Sequence, residues 1–251
     1  MESTTQRGIP RRSVVQVYFP ERECSLTYYN DQFDLRCGDI VYVEGKLEGL
    51  RGRVEEINYT FKIKLSDYKR IIAVADTDVH GEFRVAGMHF VTFDRDTLSR
   101  RKASSWYMAP AKEDEEYVSG SDNIAFDLKN LSEMKIDKVI YDRGTKYYIE
   151  NKVKYLCLDG AEGYALVEGS HPYEVDFLYH DGKIESLTCS CFCSSSCKHE
   201  VATMLQLRET LQKIEKHYKE EYEQTGYFAA IDKGALFMFA IDGKEPGKFF
   251  L

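Results

Sequence analysis

Along the first third of the chain, apolar and polar residues alternate in short runs. "VVQVYF", starting at Val14, places every second residue on one face, the two-residue period of a half-buried strand. "DIVYVEG" and "GRVEEINYTFKIKL" repeat the pattern, and "RIIAVAD" is a more continuous apolar strand. Glycines 38, 45, 49 and 52 separate these runs, as tight turns or bulges require. Many short strands with little helical periodicity predict a small β-barrel over residues 14–95, preceded by a disordered arm over 1–13.

The pattern then breaks. "RDTLSRRKASSWYMAPAKEDEEYVSGSDN" runs from a basic cluster through a proline to an acidic run, which reads as a linker over residues 96–123. "NIAFDLKNLSEMKIDKVI" fits either an amphipathic helix or a helix–strand transition. From there residues 124–251 form a second domain. Strands are expected in "TKYYIENKVKYLCLD", "GYALVEGS" and "YEVDFLYHDGKIESLTCS". Asp181-Gly182 is the strongest hairpin signal; a type I′ turn there sets Tyr179 opposite Ile184 and Phe177 opposite Ser186.

After His199 the period becomes helical. Val201, Met204 or Leu205, Leu211, Ile214, Tyr218 and Tyr222 make one apolar stripe, and Gly226 is a natural stop. "YFAAIDKGALFMFAIDGKEPGKFFL" reads as two further strands.

Composition narrows the class. With 43% hydrophobic and 30% charged residues the chain is globular rather than disordered. No apolar run is long enough for a bilayer and the N-terminus has no secretory apolar region, so a cytoplasmic protein without a membrane role is expected. The net charge of −8 argues against a whole surface shaped for duplex DNA, leaving only a local basic patch for nucleic acid.

Five of the candidate metal donors crowd into "TCSCFCSSSCKHE": Cys189, Cys191, Cys193, Cys197 and His199. In a reducing compartment clustered cysteines point to metal before disulfide, although a redox pair stays open. A C-x-C at a strand end and a C-x-H at a helix start offer thiolate and imidazole, a donor set that suits zinc. "SSS" before Cys197 offers hydroxyls to cap the helix or to bond the thiolates.

The spacing C-x-C-x5-C-x-H followed by an apolar helix resembles the SWIM zinc finger, a module of bacterial Swi/Snf-type ATPases, transposases and plant kinases. The resemblance extends upstream through "RGTKYYIENKVKYLCLDGAEGYALVEGSHPYEVDFLYHDGKIESLTCSCFC", covering residues 142–207. It implies zinc held by Cys189, Cys191, Cys197 and His199, with Cys193 spare. "VVQVYFPERECSLTYYNDQFDLRCGDIVYVEGKLEGLRGRVEEI" resembles the DNA-end-binding β-barrel of the bacterial primosomal replication-restart helicase, over residues 14–57. That implies contact with single-stranded or 3′-ended DNA.

The fold expected is therefore α+β: a small N-terminal β-barrel followed by an α+β SWIM-type zinc-finger module. Tyr28 and Tyr29 are candidate stacking residues, and Arg51, Arg53, Lys62 and Lys64 candidate phosphate contacts. Non-catalytic nucleic-acid binding is the leading expectation and a protein-interaction adaptor its competitor. "DTDVHG" with "DRG" also resembles a metallophosphoesterase, which would use Asp76, Asp78 and His80; a polar turn after a strand explains the same residues.

Overall fold

The computed structural model describes residues 10–111, 118–121, 125–191, 193 and 196–241. The chain divides into two compact units. Of the described residues, the first takes those up to Asp78 and the short segment 104–111; the second takes Val79–Ala103 and those from 118 to 241. The main segment of the first unit thus ends at Asp78.

In the first unit, strands β1 (Ser13–Phe19), β2 (Cys24–Asn30), β3 (Ile40–Val43), β4 (Gly52–Asn58) and β5 (Ile71–Val74) form an antiparallel sheet in the order β2-β1-β4-β3-β5. The alternation read from "VVQVYF" places Val15, Val17 and Phe19 inside, against Tyr28, Val41, Val43, Val54 and Ile71. Gly52 is required by this packing, since a Cβ there would lie 2.2 Å from Val17 Cγ1.

No ladder closes this sheet into a barrel among the described residues. Its edge strands β2 and β5 meet at a single bridge, Tyr29 with Arg70. The strand expected to run through "NYTFKIKL" stops at Asn58, whose side-chain oxygen accepts from the Thr60 N–H at 2.8 Å. That Asx turn diverts the backbone from the ladder. The expected linker also contributes to the core: Trp106 is fully buried and its Nε1–H donates to the Asp76 carbonyl at 2.7 Å.

In the second unit, β6 (Arg84–Ala86) and β7 (His89–Thr92) precede α1 (Arg100–Ser105), which ends in the first unit, and β8 (Phe126–Asp127). Then come α2 (Lys138–Ile149), β9 (Val153–Asp159), β10 (Glu162–Glu168), β11 (Pro172–His180) and β12 (Lys183–Cys189). They are followed by α3 (Lys198–His217), α4 (Lys219–Thr225), β13 (Tyr227–Asp232) and α5 (Lys233–Leu236). Eight strands form one sheet, β6-β7-β13-β9-β10-β11-β12-β8. Pairing of β7 with β13 is what draws residues 79–103 into this unit.

Two local expectations change. "TKYYI" is the end of α2 rather than a strand, because Asp137 caps that helix by accepting from the Val139 N–H at 2.8 Å. After β13 the chain turns helical: Asp232 accepts from the Ala235 N–H at 3.0 Å and starts α5, followed by a π-helical turn over Phe237–Ile241. The second expected strand, between Gly234 and Gly243, is therefore replaced by these helical turns over its described residues, and residues 242–251 lie outside the described residues. Of the expected arm, residues 1–9 also lie outside them, and Ser13 already belongs to β1.

The hairpin β11–β12 turns at Asp181-Gly182, both with positive φ, and Tyr179 does pair with Ile184. Phe177 does not pair with Ser186. A bulge lies at Ser186-Leu187, with Ser186 at φ 51°, so Asp176 pairs with Thr188 and Val175 with Cys189. The extra residue reverses which face each later side chain takes. Ile184, Leu187 and Cys189 therefore all pack toward the core, while Ser186 and Thr188 line a cleft on the other face.

Helix α3 buries Val201, Met204, Leu205, Leu207 and Ile214, with Leu211 partly covered. Gly226 ends α4 in the left-handed region, its N–H bonded to the Tyr222 carbonyl at 2.7 Å. No described helix is long and apolar enough to cross a membrane.

Candidate metal centre

Cys189 ends β12, Cys191 follows it in the loop, and Cys197 and His199 open α3. Their donor atoms all lie within 4.8 Å of one another. His199 Nδ1 stands 3.7 Å from Cys189 Sγ and 3.7 Å from Cys197 Sγ. Zinc with sulfur at about 2.3 Å and nitrogen at about 2.0–2.1 Å implies a tetrahedral S···N edge of about 3.6 Å. The four residues thus form a Cys3His cluster that can hold a metal ion. Among the described residues no other group of three or more such donors gathers in this way.

One donor position is fixed by ordinary helix chemistry. Cys197 is the N-cap of α3: its Sγ accepts from the Glu200 N–H at 3.5 Å, and its own N–H donates to Glu200 Oε2 at 2.9 Å. This is a capping box with a thiol in place of the usual hydroxyl. Cys197, rather than a serine, caps the helix; Ser194 and Ser195 lie outside the described residues. The sequence held a signal for Glu200 in the C-x-x-E spacing.

Aromatic rings hold His199. Tyr173 stacks on it at 4.0 Å between centroids and Tyr147 meets it edge-on at 5.6 Å. Both tyrosines fall in the stretch carrying the SWIM resemblance. Gly169 sits so close to the Tyr173 ring that a Cβ would come within 2.6 Å of it, so the "EGSHPY" turn presses the ring inward.

The thiols are electrostatically coupled. Cys197 is lowered to about 4, chiefly by the hydrogen bond from Cys189, with His199 and the Glu200 N–H adding to it. Cys189 is pushed far upward by that same bond and then by burial. Cys191 is pushed up to about 12, by burial first and Cys197 second. Without a cation the cluster favours one thiolate; bringing in the others requires a positive ion among them. Cys193 is exposed, outside the cluster, with its N–H on the Cys191 carbonyl at 2.9 Å.

The other candidate residues are scattered in role. Tyr28 is 4% exposed and packs edge-on against Phe19; Tyr29 is 6% exposed beneath Arg70 and beside Phe61. Neither presents a ring for stacking on a base. Arg51 donates to the Trp106 carbonyl at 3.4 Å and lies over the Tyr107 ring, and Arg53 is half-buried on β4. Lys62 and Lys64 are exposed. Asp76 is taken up in a turn, accepting from the Asp78 N–H at 3.1 Å. Comparison with protein-family models, curated proteins and solved structures finds no match to this chain.

Proposed function

We propose that this is a non-catalytic nucleic-acid-binding protein whose second unit is a SWIM-type zinc module. The observation that carries the zinc reading is the closure of the Cys3His cluster: four protein donors leave no open position for substrate water. Zinc there would neutralise the thiolates of Cys189, Cys191 and Cys197 and tie the β11–β12 hairpin to α3. Native mass spectrometry is expected to find one zinc per chain; a folded, metal-free protein overturns this reading.

The nucleic-acid reading rests on the resemblance of the first unit to a DNA-end-binding barrel, and on exposed lysines following β4. Binding to single-stranded, 3′-recessed and duplex DNA, followed by fluorescence anisotropy, should weaken as salt rises. Absence of binding at low salt refutes it.

A protein-interaction adaptor is the second reading. The net charge of −8 favours it, as does an exposed apolar group at the β6 edge: Val85, Met88, Phe237 and Met238. Val85 pairs with Phe90, against whose ring Phe237 packs.

A further inference from the structure

We infer that the surface at one end of the first unit's sheet, centred on Tyr59, binds single-stranded nucleic acid, with Tyr59 as the base-stacking ring and Arg11, Lys62 and Lys64 as phosphate contacts. This rests on the nucleic-acid reading above and replaces its aromatic residues. Tyr28 and Tyr29 are buried, whereas Tyr59 is 41% exposed even with the Arg11 guanidinium 4.1 Å above its ring.

The sheet itself gathers the charges. Ser13 pairs with Asn30 and Val14 with Asn58, so Arg11 and Arg12 leave the sheet where β4 ends and Tyr59 begins. The segment after β4 returns across this end: Phe61 meets the Tyr29 ring at 6.2 Å, and the Tyr29 N–H donates to the Lys69 carbonyl at 2.9 Å. Arg11, Arg12, Lys62, Lys64 and Lys69 are exposed along this path. The acidic groups near it include Asp67, 4.0 Å from Lys64, Asp31, paired with Arg70 at 2.5 Å, Glu44, which accepts from the Arg70 N–H at 3.2 Å, and the exposed Glu55 and Glu56 of β4, of which Glu55 accepts from the Ser25 hydroxyl. A chain of charge −8 is therefore locally basic here, beside an exposed aromatic ring. Binders of single strands combine these two elements: cations track the backbone, and a ring accepts a base of any sequence. Away from its ends a duplex keeps its bases stacked on one another and closed to Tyr59.

The test is anisotropy titration of full-length protein with labelled oligothymidylate, oligouridylate and a duplex, across a salt series. Tyr59→Ala should weaken single-strand binding by about five- to hundredfold while Tyr59→Phe stays within about twofold of wild type. Lys62→Ala/Lys64→Ala should reduce the slope of log affinity against log salt by about 1.4. The two single-stranded probes separate DNA from RNA as the source; dependence on Tyr59 with either sustains the site. If wild type binds neither at low salt, the nucleic-acid reading itself falls. If wild type binds and both variants, folded by circular dichroism, bind equally well, this site is wrong and the broader reading stands. Equal dependence of duplex binding on Tyr59 overturns the stacking role.

Discussion

Gly144 lies in the middle of α2, where intrinsic propensity favours alanine by about 1 kcal/mol. The surroundings oppose that gain. A Cβ at Gly144 would sit 2.4 Å from Val201 Cβ, 2.6 Å from Val201 Cγ1 and 2.9 Å from the Lys198 carbonyl oxygen. Carbon atoms in contact prefer about 3.5–4.0 Å, so α2 and α3 would have to part by roughly 1 Å. Neither a Cβ nor a backbone carbonyl can swing aside as a long side chain does. Overpacking of this kind costs about 1–3 kcal/mol, and the rigid neighbours place this case near the upper end. Gly144→Ala should therefore destabilise by about 2 kcal/mol after the propensity gain is subtracted. For a chain of this size that is a fall of about 4–8 °C in Tm. Lys198 and Val201 flank His199, so the displacement reaches the cluster, and a chelator should strip zinc from the variant at lower concentration. Urea unfolding followed by circular dichroism, with chelator competition alongside, measures both. A variant as stable as wild type, or more stable, would show that propensity dominates and that the close helix approach has no energetic weight.

Three further outcomes are expected. Cys193→Ser should keep one zinc per chain, whereas Cys197→Ser should lose a metal ligand while its hydroxyl still caps α3; zinc stoichiometry by native mass spectrometry separates the two, and zinc loss in Cys193→Ser would refute the ligand set. Chelation of wild-type protein should lower the Tm of the second unit, and added zinc should restore it, since binding to the folded form alone stabilises that form; an unchanged melt would exclude a structural metal. The Cys157 thiol is pushed up to about 11 by burial, from an ordinary value near 9.0. A raised folded-state value favours folding below the unfolded value, so that stability is lost as pH rises from about 9 to 11, by up to roughly 3 kcal/mol. Urea midpoints at pH 8 and 10.5 should fall less in Cys157→Ala than in wild type; parallel falls would refute this.

The features legible in the sequence were those written locally. Asp181-Gly182 specified its turn because two adjacent residues must take positive φ, and the α3 stripe followed from a period over five turns. The four donors came together because each pair occupies neighbouring positions at an element end. Burial of Tyr28 and Tyr29 was not legible: alternation names two faces of a strand, but the end of β2 is covered on both. The β7–β13 pairing joins residues about 140 apart, and no local pattern announces such a partner. Asn58 did carry its signal, an Asx turn, but the apolar residues after it suggested a continuing strand. Ser186 gave none, since a bulge answers to the packing of the sheet rather than to residue type.

That bulge makes the metal motif a matter of counting. Cys189 reaches His199 because an odd residue was inserted between the hairpin turn and the strand end. Removing Leu187 would leave every donor and the C-x-C-x5-C-x-H spacing untouched, yet would point Cys189 to the cleft side of the sheet. Relatives that gain or lose residues in this strand can keep the centre only in steps of two, or by moving the bulge. A search for such centres therefore has to read the parity of the preceding strand as well as the cysteines themselves.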